Sequence, residues 1–173
     1  IDGELQQAAQ LAVRRNLSRL ETILKGFKQE RSEYYRKLRG LTINDFYFGE
    51  VASIAGTPKE PEIKVNFGLP SCTIPYDSLK RYASQVALPY YQKPETVAQD
   101  LIKKIKPGDI LYVEVREYNV ETHEGVCEMM KRPRVNGGLI ALDKGEVRAV
   151  VSGFDTHGFN RSMQAKRQPG SVF

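Results

Sequence analysis

Residues 46–74 read FYFGEVASIAGTPKEPEIKVNFGLPSCTI. Phe46 to Ile54 is rich in aromatic and branched residues, and the sequence at Gly56 to Pro58 follows it as a turn signal. Glu62 to Phe67 alternates in polarity, and Cys72 to Ile74 is a short apolar run. Such runs between turn signals are typical of half-buried β-strands. The stretch therefore predicts three consecutive strands.

In the residues that follow, the apolar positions first have helical spacing and then again have the spacing typical of strands. Ser78 to Ala87 and Glu95 to Ile105 carry apolar residues at helical spacing, and Pro107 stops the second run. Ile110 to Tyr118 and Gly125 to Lys131 are two further strand patterns. Five strands with helices between the third and the fourth are the order expected of an OB-fold, a small Greek-key barrel. The pattern predicts a mainly β fold with helices, built on a five-stranded OB-like barrel.

The chain before the first strand has a helical pattern. Its apolar residues recur at steps of three and four, which is the spacing of one helical face. They are Leu5, Ala9, Ala12 or Val13, Leu17, Leu20, Leu24 and Phe27. Asp2 can serve as the N-cap, and Gly26 ends or loosens the helix. Lys28 to Arg39 contains no helix breaker, so we expect the helix to resume there, with its mixed charges on a solvated face.

The other end of the chain has a hairpin pattern. Gly138 to Leu142 and Glu146 to Ser152 are apolar, branched runs, and Gly145 between them can adopt the positive φ of a tight turn. Both runs are apolar at nearly every position, so we expect the hairpin to be buried on both faces in a larger sheet. We expect most of that sheet to lie beyond Phe173. The N-terminal helix can cover one face, and the other face is then exposed or buried against another molecule.

These patterns divide the chain into three parts. Residues 1–40 form an N-terminal helical segment, residues 41–135 form the OB-like domain, and residues 136–173 form the hairpin and a tail. The predicted barrel is thus inserted between an N-terminal helix and a C-terminal β-hairpin.

The composition is that of a folded chain with an uneven charge distribution. Its 173 residues are 40% hydrophobic and carry 26 Lys and Arg against 21 Asp and Glu, a formal net charge of +5. Residues 46–155 have a net charge of −1, and the positive excess lies in the two flanking parts. No apolar run approaches the roughly 20 residues that span a bilayer, and no signal peptide pattern is visible. The charge excess indicates contacts within a larger protein.

The cysteines and histidines of the sequence do not have the spacing of a known metal site. Cys72 and Cys127 are too far apart for a zinc knuckle, and His123 and His157 also lack the spacing of metal ligands. We therefore predict no metal site and no cofactor. His123 lies in a polar segment and is interpreted as a solvated loop residue.

The tail carries a specific motif. Residues 138–173 read GLIALDKGEVRAVVSGFDTHGFNRSMQAKRQPGSVF. This closely resembles the segment that opens the transpeptidase domain of class A penicillin-binding proteins, where an apolar hairpin precedes an FNRAxQAxRQPGSxFKP sequence. The matching residues, to which we assign a structural role, are Phe159, Asn160, Arg161, Gln164, Arg167, Gln168, Pro169, Gly170 and Ser171.

The start of the chain resembles the same family. Ile1, Asp2 and Leu5 to Ala9 are similar to the TTIDxxLQxAAexAl helix that begins the transpeptidase domain. The subfamily typical of Gram-negative bacteria carries an OB-like domain inserted between this helix and the hairpin. The resemblance therefore implies such an insert, flanked by the first pieces of a transpeptidase domain.

The catalytic elements of that family are absent from this sequence. The transpeptidase uses a nucleophilic Ser in Ser-x-x-Lys with a Lys-Thr-Gly element. Ser78 is followed at the third position by Arg81, and Ser162 has its Lys at the fourth, Lys166. Nucleophile and base must touch for proton transfer, so we predict no catalytic residue and an inactive fragment of a bifunctional synthase. Ser171 is interpreted as structural, and the basic residues near it as pairing with the missing part of the domain.

Two function classes follow. The first is an interaction or regulatory module of a peptidoglycan glycosyltransferase and transpeptidase. The second is a stand-alone OB module that binds single-stranded nucleic acid, with Tyr47, Phe48, Tyr112 and Tyr118 as stacking residues. The net charge of −1 argues against the second, because the barrel has no positive excess to neutralise phosphates. A spacer without a ligand of its own is a third possibility.

The resemblance also implies partners and a location. The partners are the rest of the parent synthase and either peptidoglycan or a periplasmic regulatory protein, with no nucleic acid, and the membrane is reached only through an N-terminal anchor of the longer protein. The location is the periplasmic side of the bacterial inner membrane. Cys72 and Cys127 can form a disulfide in that oxidising compartment, although we favour two separate buried thiols.

Overall fold

The computed structural model describes residues 1–154, which form two compact units. Unit 1 combines Ile1–Leu20 with the chain from Pro133 onward, and unit 2 is Glu21–Arg132. The chain therefore leaves unit 1, forms unit 2 and returns to unit 1. Unit 2 begins before the predicted insert at 41–135, because residues preceding the first strand pack against the same core.

The first helix, α1, spans Gly3–Lys25 as the apolar spacing predicts. Asp2 is its N-cap: Asp2 Oδ1 accepts hydrogen bonds from the backbone N–H groups of Glu4 (3.0 Å) and Leu5 (3.1 Å). Gly26 ends the helix with a φ of 62°, a left-handed conformation that glycine adopts at low cost. None of the helices within residues 1–154 is long and apolar enough to cross a bilayer.

Five strands form the body of unit 2. Strand β1 pairs with both β2 and β4 in antiparallel register, and β3 pairs with β5 in parallel, so the strand order β1-β2-β3-β5-β4 closes into a barrel. The mixture of helices and strands agrees coarsely with the predicted mainly β class. The strands are β1 (Phe46–Gly56), β2 (Pro61–Asn66), β3 (Ser71–Ile74), β4 (Ile110–Asn119) and β5 (Glu124–Met130).

Two helices lie between β3 and β4 in the chain, as the sequence predicts. They are α2 (Tyr76–Ala87) and α3 (Pro94–Lys104), and a short 3₁₀ turn at Leu88–Tyr90 separates them. The backbone N–H of Met129 donates to Ser78 Oγ (3.0 Å), which ties α2 to β5. Pro94 is the first residue of α3. An N–H at this position would have no hydrogen-bond acceptor within the helix, so the absence of an N–H in proline costs no helical hydrogen bond.

The core of unit 2 is made from the inward residues of the strands and the apolar faces of α2 and α3. Gly49 on β1 is required by this packing, because a Cβ there would overlap the side chains of Val65 and Phe67. Phe67 is fully buried and fills the space that the glycine leaves. Apolar burial of this kind is the dominant favourable contribution to folding.

Residues 28–39, here called the strap, do not form the predicted helix. Only Ser32–Tyr34 makes a 3₁₀ turn, and Glu30 and Leu38 form isolated β-bridges to the barrel. The backbone N–H of Glu30 donates to Ile110 O (3.1 Å), and the N–H of Leu69 donates to Leu38 O (3.2 Å). The helical prediction was wrong because pairing with the barrel backbone outweighs the weak intrinsic propensity of these residues.

Unit 1 contains a hairpin of strands β6 (Leu139–Asp143) and β7 (Glu146–Val151). Lys144 and Gly145 form its turn with φ values of 50° and 85°. Positive φ at both central residues is the type I′ geometry that suits the twist of two-residue hairpins. The predicted hairpin is therefore confirmed, and Lys144 shares the unusual backbone conformation.

One face of the hairpin packs on α1. Ala149 and Val151 are buried together with Ala9, and Leu139 and Ala141 pack around them. The side chains of the opposite face remain accessible. Among the described residues, Ile140 is 43% and Leu142 is 64% exposed. The helix therefore covers one face, as expected, and the burial of the other face in a larger sheet stays a prediction.

Candidate interaction surfaces

The residues of the tail motif lie outside the described residues, so their predicted structural role stays a prediction. The motif comprises Phe159, Asn160, Arg161, Gln164, Arg167, Gln168, Pro169, Gly170 and Ser171. His157, Ser162 and Lys166 lie in the same segment.

Ser78, a serine compared above with the Ser-x-x-Lys motif, is buried, and no metal-ligand cluster is found within residues 1–154. Ser78 is 1% exposed, and its Oγ accepts the backbone hydrogen bond from Met129. No group of three His, Cys, Asp or Glu side chains within residues 1–154 is arranged to hold a metal ion. Ser78 therefore has a structural role in joining α2 to β5.

The two cysteines are joined. A disulfide links Cys72 on β3 to Cys127 on β5, with a Cα–Cα distance of 5.8 Å, and both residues are buried. The interpretation as two separate thiols was therefore wrong. Strands β3 and β5 are far apart in sequence but adjacent in the barrel, and strand periodicity alone does not reveal that adjacency.

An ion network covers the outer side of β4 and β5. Glu128 accepts from Arg81 Nε on α2 (2.8 Å) and from Arg116 Nε on β4 (2.7 Å). Arg116 also reaches Glu114, whose side chain is fully buried (3.2 Å). The network links α2, β4 and β5. It was not predicted, although alternate polar residues in the strand sequence VEVRE could have indicated an outward charged row.

The arginines set the ionisation of Glu128. Burial by itself raises the pKa of a carboxyl group, but the hydrogen bonds and positive charges of Arg81 and Arg116 outweigh it. The pKa of Glu128 is consequently lowered, and the group is ionised at neutral pH. The network is a structural feature that fixes a helix on the barrel.

A group of aromatic side chains lies where the strap crosses the barrel. The Tyr34 ring is 5.0 Å from the Phe48 ring, which in turn lies 4.7 Å from that of Tyr112. The guanidinium of Arg132 is 5.9 Å from the Tyr34 ring and 5.7 Å from the Phe48 ring. These contacts fasten the strap to β1, and the rings of Tyr34, Phe48 and Tyr112 pack against one another within unit 2.

The four predicted stacking residues do not form a platform. Tyr112 is 5% exposed, and Tyr47 packs edge-on against Phe67 at 6.3 Å. The hydroxyl of Tyr118 is hydrogen-bonded to His123 Nδ1 (3.1 Å), and Phe48 belongs to the strap contact. Nonspecific binding of single strands requires accessible rings in a positively charged groove. This arrangement gives no support to the nucleic-acid hypothesis.

His123 has a more defined role than that of a solvated loop residue. It is half-buried and has a φ of 56° in the turn between β4 and β5. Its carbonyl accepts from the backbone N–H of Ser71 (2.9 Å), and its ring contacts Tyr118. His123 therefore links this turn to the start of β3.

Exposed apolar residues also lie at the end of the barrel that contains the His123 turn. Strands β1, β3 and β5 begin at this end, and β2 and β4 end there. We call this surface the loop end and define it by Ile43, Leu69 and Val120, which are 50, 59 and 72% exposed. They lie on three separate connections that backbone hydrogen bonds hold to the barrel and the strap. Binding residues are often carried by loops that a rigid scaffold positions, so the loop end is a candidate interaction surface.

Comparison with known proteins supports a partial relationship. The chain is 45% identical over 58 residues to "Penicillin-binding protein 1A" of Neisseria gonorrhoeae, a match of 31% of this chain and 7% of that protein. It is 51% identical over 47 residues to "Penicillin-binding protein 1B" of Haemophilus influenzae, which covers 25% of this chain and 6% of that protein. No family model matches. The matched part spans less than a tenth of the length of these relatives.

Proposed function

We propose that this chain is a non-catalytic part of a bifunctional peptidoglycan glycosyltransferase and transpeptidase that builds the bacterial cell wall. The observation that carries the proposal is the similarity of about a third of the chain to penicillin-binding protein 1A. Unit 1 would be the first part of the transpeptidase domain, and unit 2 an inserted module.

The path of the chain supports an inserted module. Unit 1 contains both ends of the described chain, and unit 2 lies between them in sequence. An inserted domain requires such a path, with its two ends returning to one host domain. The predicted domains 1–40, 41–135 and 136–173 remain part of this proposal, with the insert now extended toward Glu21.

The strand order supports an OB-like assignment for the module. Its five strands run β1-β2-β3-β5-β4, and α2 and α3 are placed between β3 and β4. OB-folds are five-stranded Greek-key barrels whose loops and faces bind ligands. We assign unit 2 an interaction or regulatory role through its loop end, toward peptidoglycan, a periplasmic regulatory protein or the parent's other domains.

The disulfide supports the proposed compartment. Disulfides form and persist in oxidising environments such as the bacterial periplasm, and Cys72 and Cys127 are joined. We therefore place the module on the periplasmic side of the inner membrane, reached by an anchor elsewhere in the parent protein.

Labelling with a fluorescent penicillin tests the parent's identity. The full-length parent should become covalently labelled, whereas the 173-residue chain should not, because it has no Ser-x-x-Lys. Unlabelled penicillin added first should abolish the signal. An unlabelled but folded parent would contradict the synthase assignment, and labelling of the short chain would contradict the location of the nucleophile.

Co-sedimentation with purified sacculi tests the module's ligand. Leu69→Ser and Val120→Ser should release the chain from sacculi if the loop end contacts peptidoglycan. Leu88→Ser is the matched control, since Leu88 is a similarly exposed apolar residue that follows α2 rather than belonging to the loop end. Equal loss in all three variants would reject the loop end, and no binding by the unaltered chain would leave a protein partner or the parent's domains as ligand.

A further inference from the structure

The strap carries unbalanced positive charge at its C-terminal end. Residues 35–40 contain three basic side chains, Arg36, Lys37 and Arg39, and no acidic one, and all three are exposed. The guanidinium of Arg36 donates hydrogen bonds to backbone carbonyls of the strap itself. Within residues 1–154, the side chains of Lys37 and Arg39 form no ion pair and no hydrogen bond. The described part of the chain therefore leaves these two charges without an acidic partner.

The barrel holds this end of the strap in a defined position. The backbone N–H of Leu38 donates to Phe67 O, and the N–H of Leu69 donates to Leu38 O (3.2 Å). Gly68 lies between these two partners with a φ of 103°, and a Cβ there would come within 3.1 Å of the Cβ of Lys37. So close an approach of two backbones favours glycine. The two cations on either side of Leu38 are thus carried by a backbone that is fixed to the barrel.

These cations lie beside one part of the loop end. Leu69, which is 59% exposed, belongs to the connection that the strap pairs with. The acidic residues Glu121 and Glu124 lie on the connection between β4 and β5, which also carries Val120. Asp45, on the third connection, accepts a hydrogen bond from the backbone N–H that follows it. The loop end therefore has a positive side next to Leu69 and a negative side next to Val120.

We propose that Lys37 and Arg39 bind the ionised carboxylates of peptidoglycan stem peptides, with Leu69 in contact with the apolar part of the same peptide. The inference rests on the proposed function, because it selects one ligand of the loop end and names the groups that recognise it. Stem peptides are rich in alanine and carry free carboxylates, so an exposed leucine beside two cations complements them in both polarity and charge. The negative side of the loop end repels such a ligand, which confines the contact to the side of Leu69.

Co-sedimentation with two forms of sacculi tests the chemistry of the ligand. The 173-residue chain should bind intact sacculi, and binding should weaken as salt is added, because screening shortens the range of exposed charges to about 3 Å at 1 M salt. Sacculi whose carboxylates have been converted to amides with a carbodiimide and ammonia should bind at least about fivefold more weakly. Equal binding to the two forms overturns the proposal, and so does the absence of binding to intact sacculi.

Charge substitutions test the location of the site. The double variant Lys37→Gln, Arg39→Gln should raise the dissociation constant for intact sacculi about fivefold or more. The matched control is Lys59→Gln, Lys93→Gln, which removes the same charge from two exposed lysines, one between β1 and β2 and one just before α3. Lys37→Arg, Arg39→Lys keeps both charges and should bind as the unaltered chain does. An equal loss in the two glutamine variants would show that net charge alone drives binding and would overturn the site.

This result can be separated from the test of the parent's identity. If fluorescent penicillin labels the parent but the 173-residue chain does not bind intact sacculi, the carboxylate site is wrong and the synthase assignment stands. If the chain binds sacculi through Lys37 and Arg39 but the parent is folded and unlabelled, the synthase assignment is wrong and the carboxylate site stands. All the substituted side chains are exposed, so the circular dichroism spectra of the variants should match that of the unaltered chain.

Discussion

Cys72 and Cys127 form a disulfide between β3 and β5, the pair of neighbouring strands that closes the barrel in parallel register. That pair extends over three residue positions, fewer than the antiparallel pairs on either side of it. The covalent link therefore reinforces the shortest pairing of the barrel.

The disulfide should account for a large part of the stability of unit 2. Its cysteines are 55 residues apart, and the chain-entropy estimate for closing a loop of that size is about 4 kcal/mol. Urea unfolding of the Cys72→Ala, Cys127→Ala double variant should show this loss relative to the oxidised chain. Reductant should lower the urea midpoint of the unaltered chain and leave that of the variant unchanged. Two free thiols in the untreated protein would contradict the link.

The ionised form of Glu128 should stabilise the fold. Its pKa is lower in the folded state than the ordinary value of 4.5, so its contribution is fully present above about pH 4.5 and is lost as pH falls through the folded pKa. Glu128→Gln should be less stable than the unaltered chain at pH 7, and the difference in urea midpoint should shrink toward pH 3. A difference that does not vary with pH would reject an electrostatic origin.

The barrel interior should not tolerate a methyl group at Gly49. Its Cβ would overlap Phe67 and Val65, and overpacking of a core typically costs about 1–3 kcal/mol. Gly3→Ala is the matched control, because a methyl group added at the start of α1 would meet open space. Thermal unfolding should show a lower midpoint for Gly49→Ala alone; equal effects would mean that packing at β1 is not the cause.

The elements that can be predicted from the sequence are those in which the local pattern of apolar and polar residues matches the burial of the side chains. The β1 and β2 patterns and the hairpin turn at Lys144–Gly145 can be identified because side-chain alternation and turn chemistry are local properties. The helical prediction for the strap fails because its backbone pairs with Ile110 and Gly68, which are remote in sequence. Helix propensity depends on neighbouring residues in the sequence, so it cannot predict pairing with remote residues.

The surfaces are less predictable than the fold. Tyr112 and Tyr118 are aromatic residues of the type that stack on nucleic-acid bases. In the structure, however, Tyr112 is buried, and the hydroxyl of Tyr118 is hydrogen-bonded to His123. Likewise, Gln6 belongs to a helical pattern, but its side-chain amide is hydrogen-bonded to the backbone of Val150 on β7. Which side chains remain available depends on the tertiary neighbours of each position, and a single sequence does not specify those neighbours.

The hairpin turn offers a substitution that should increase stability. Lys144 has a φ of 50°, a conformation in which L-residues pay about 1–2 kcal/mol and Asn pays less. Lys144→Asn creates the Asn-Gly pair preferred in type I′ turns and should raise the stability of unit 1 by up to about 1 kcal/mol. Gly145→Ala, at a φ of 85°, should lower it by about the same amount. Hydrogen exchange of the Ala141 and Ala149 amides measures both changes within the hairpin, and slower exchange in Gly145→Ala than in Lys144→Asn would contradict the type I′ assignment.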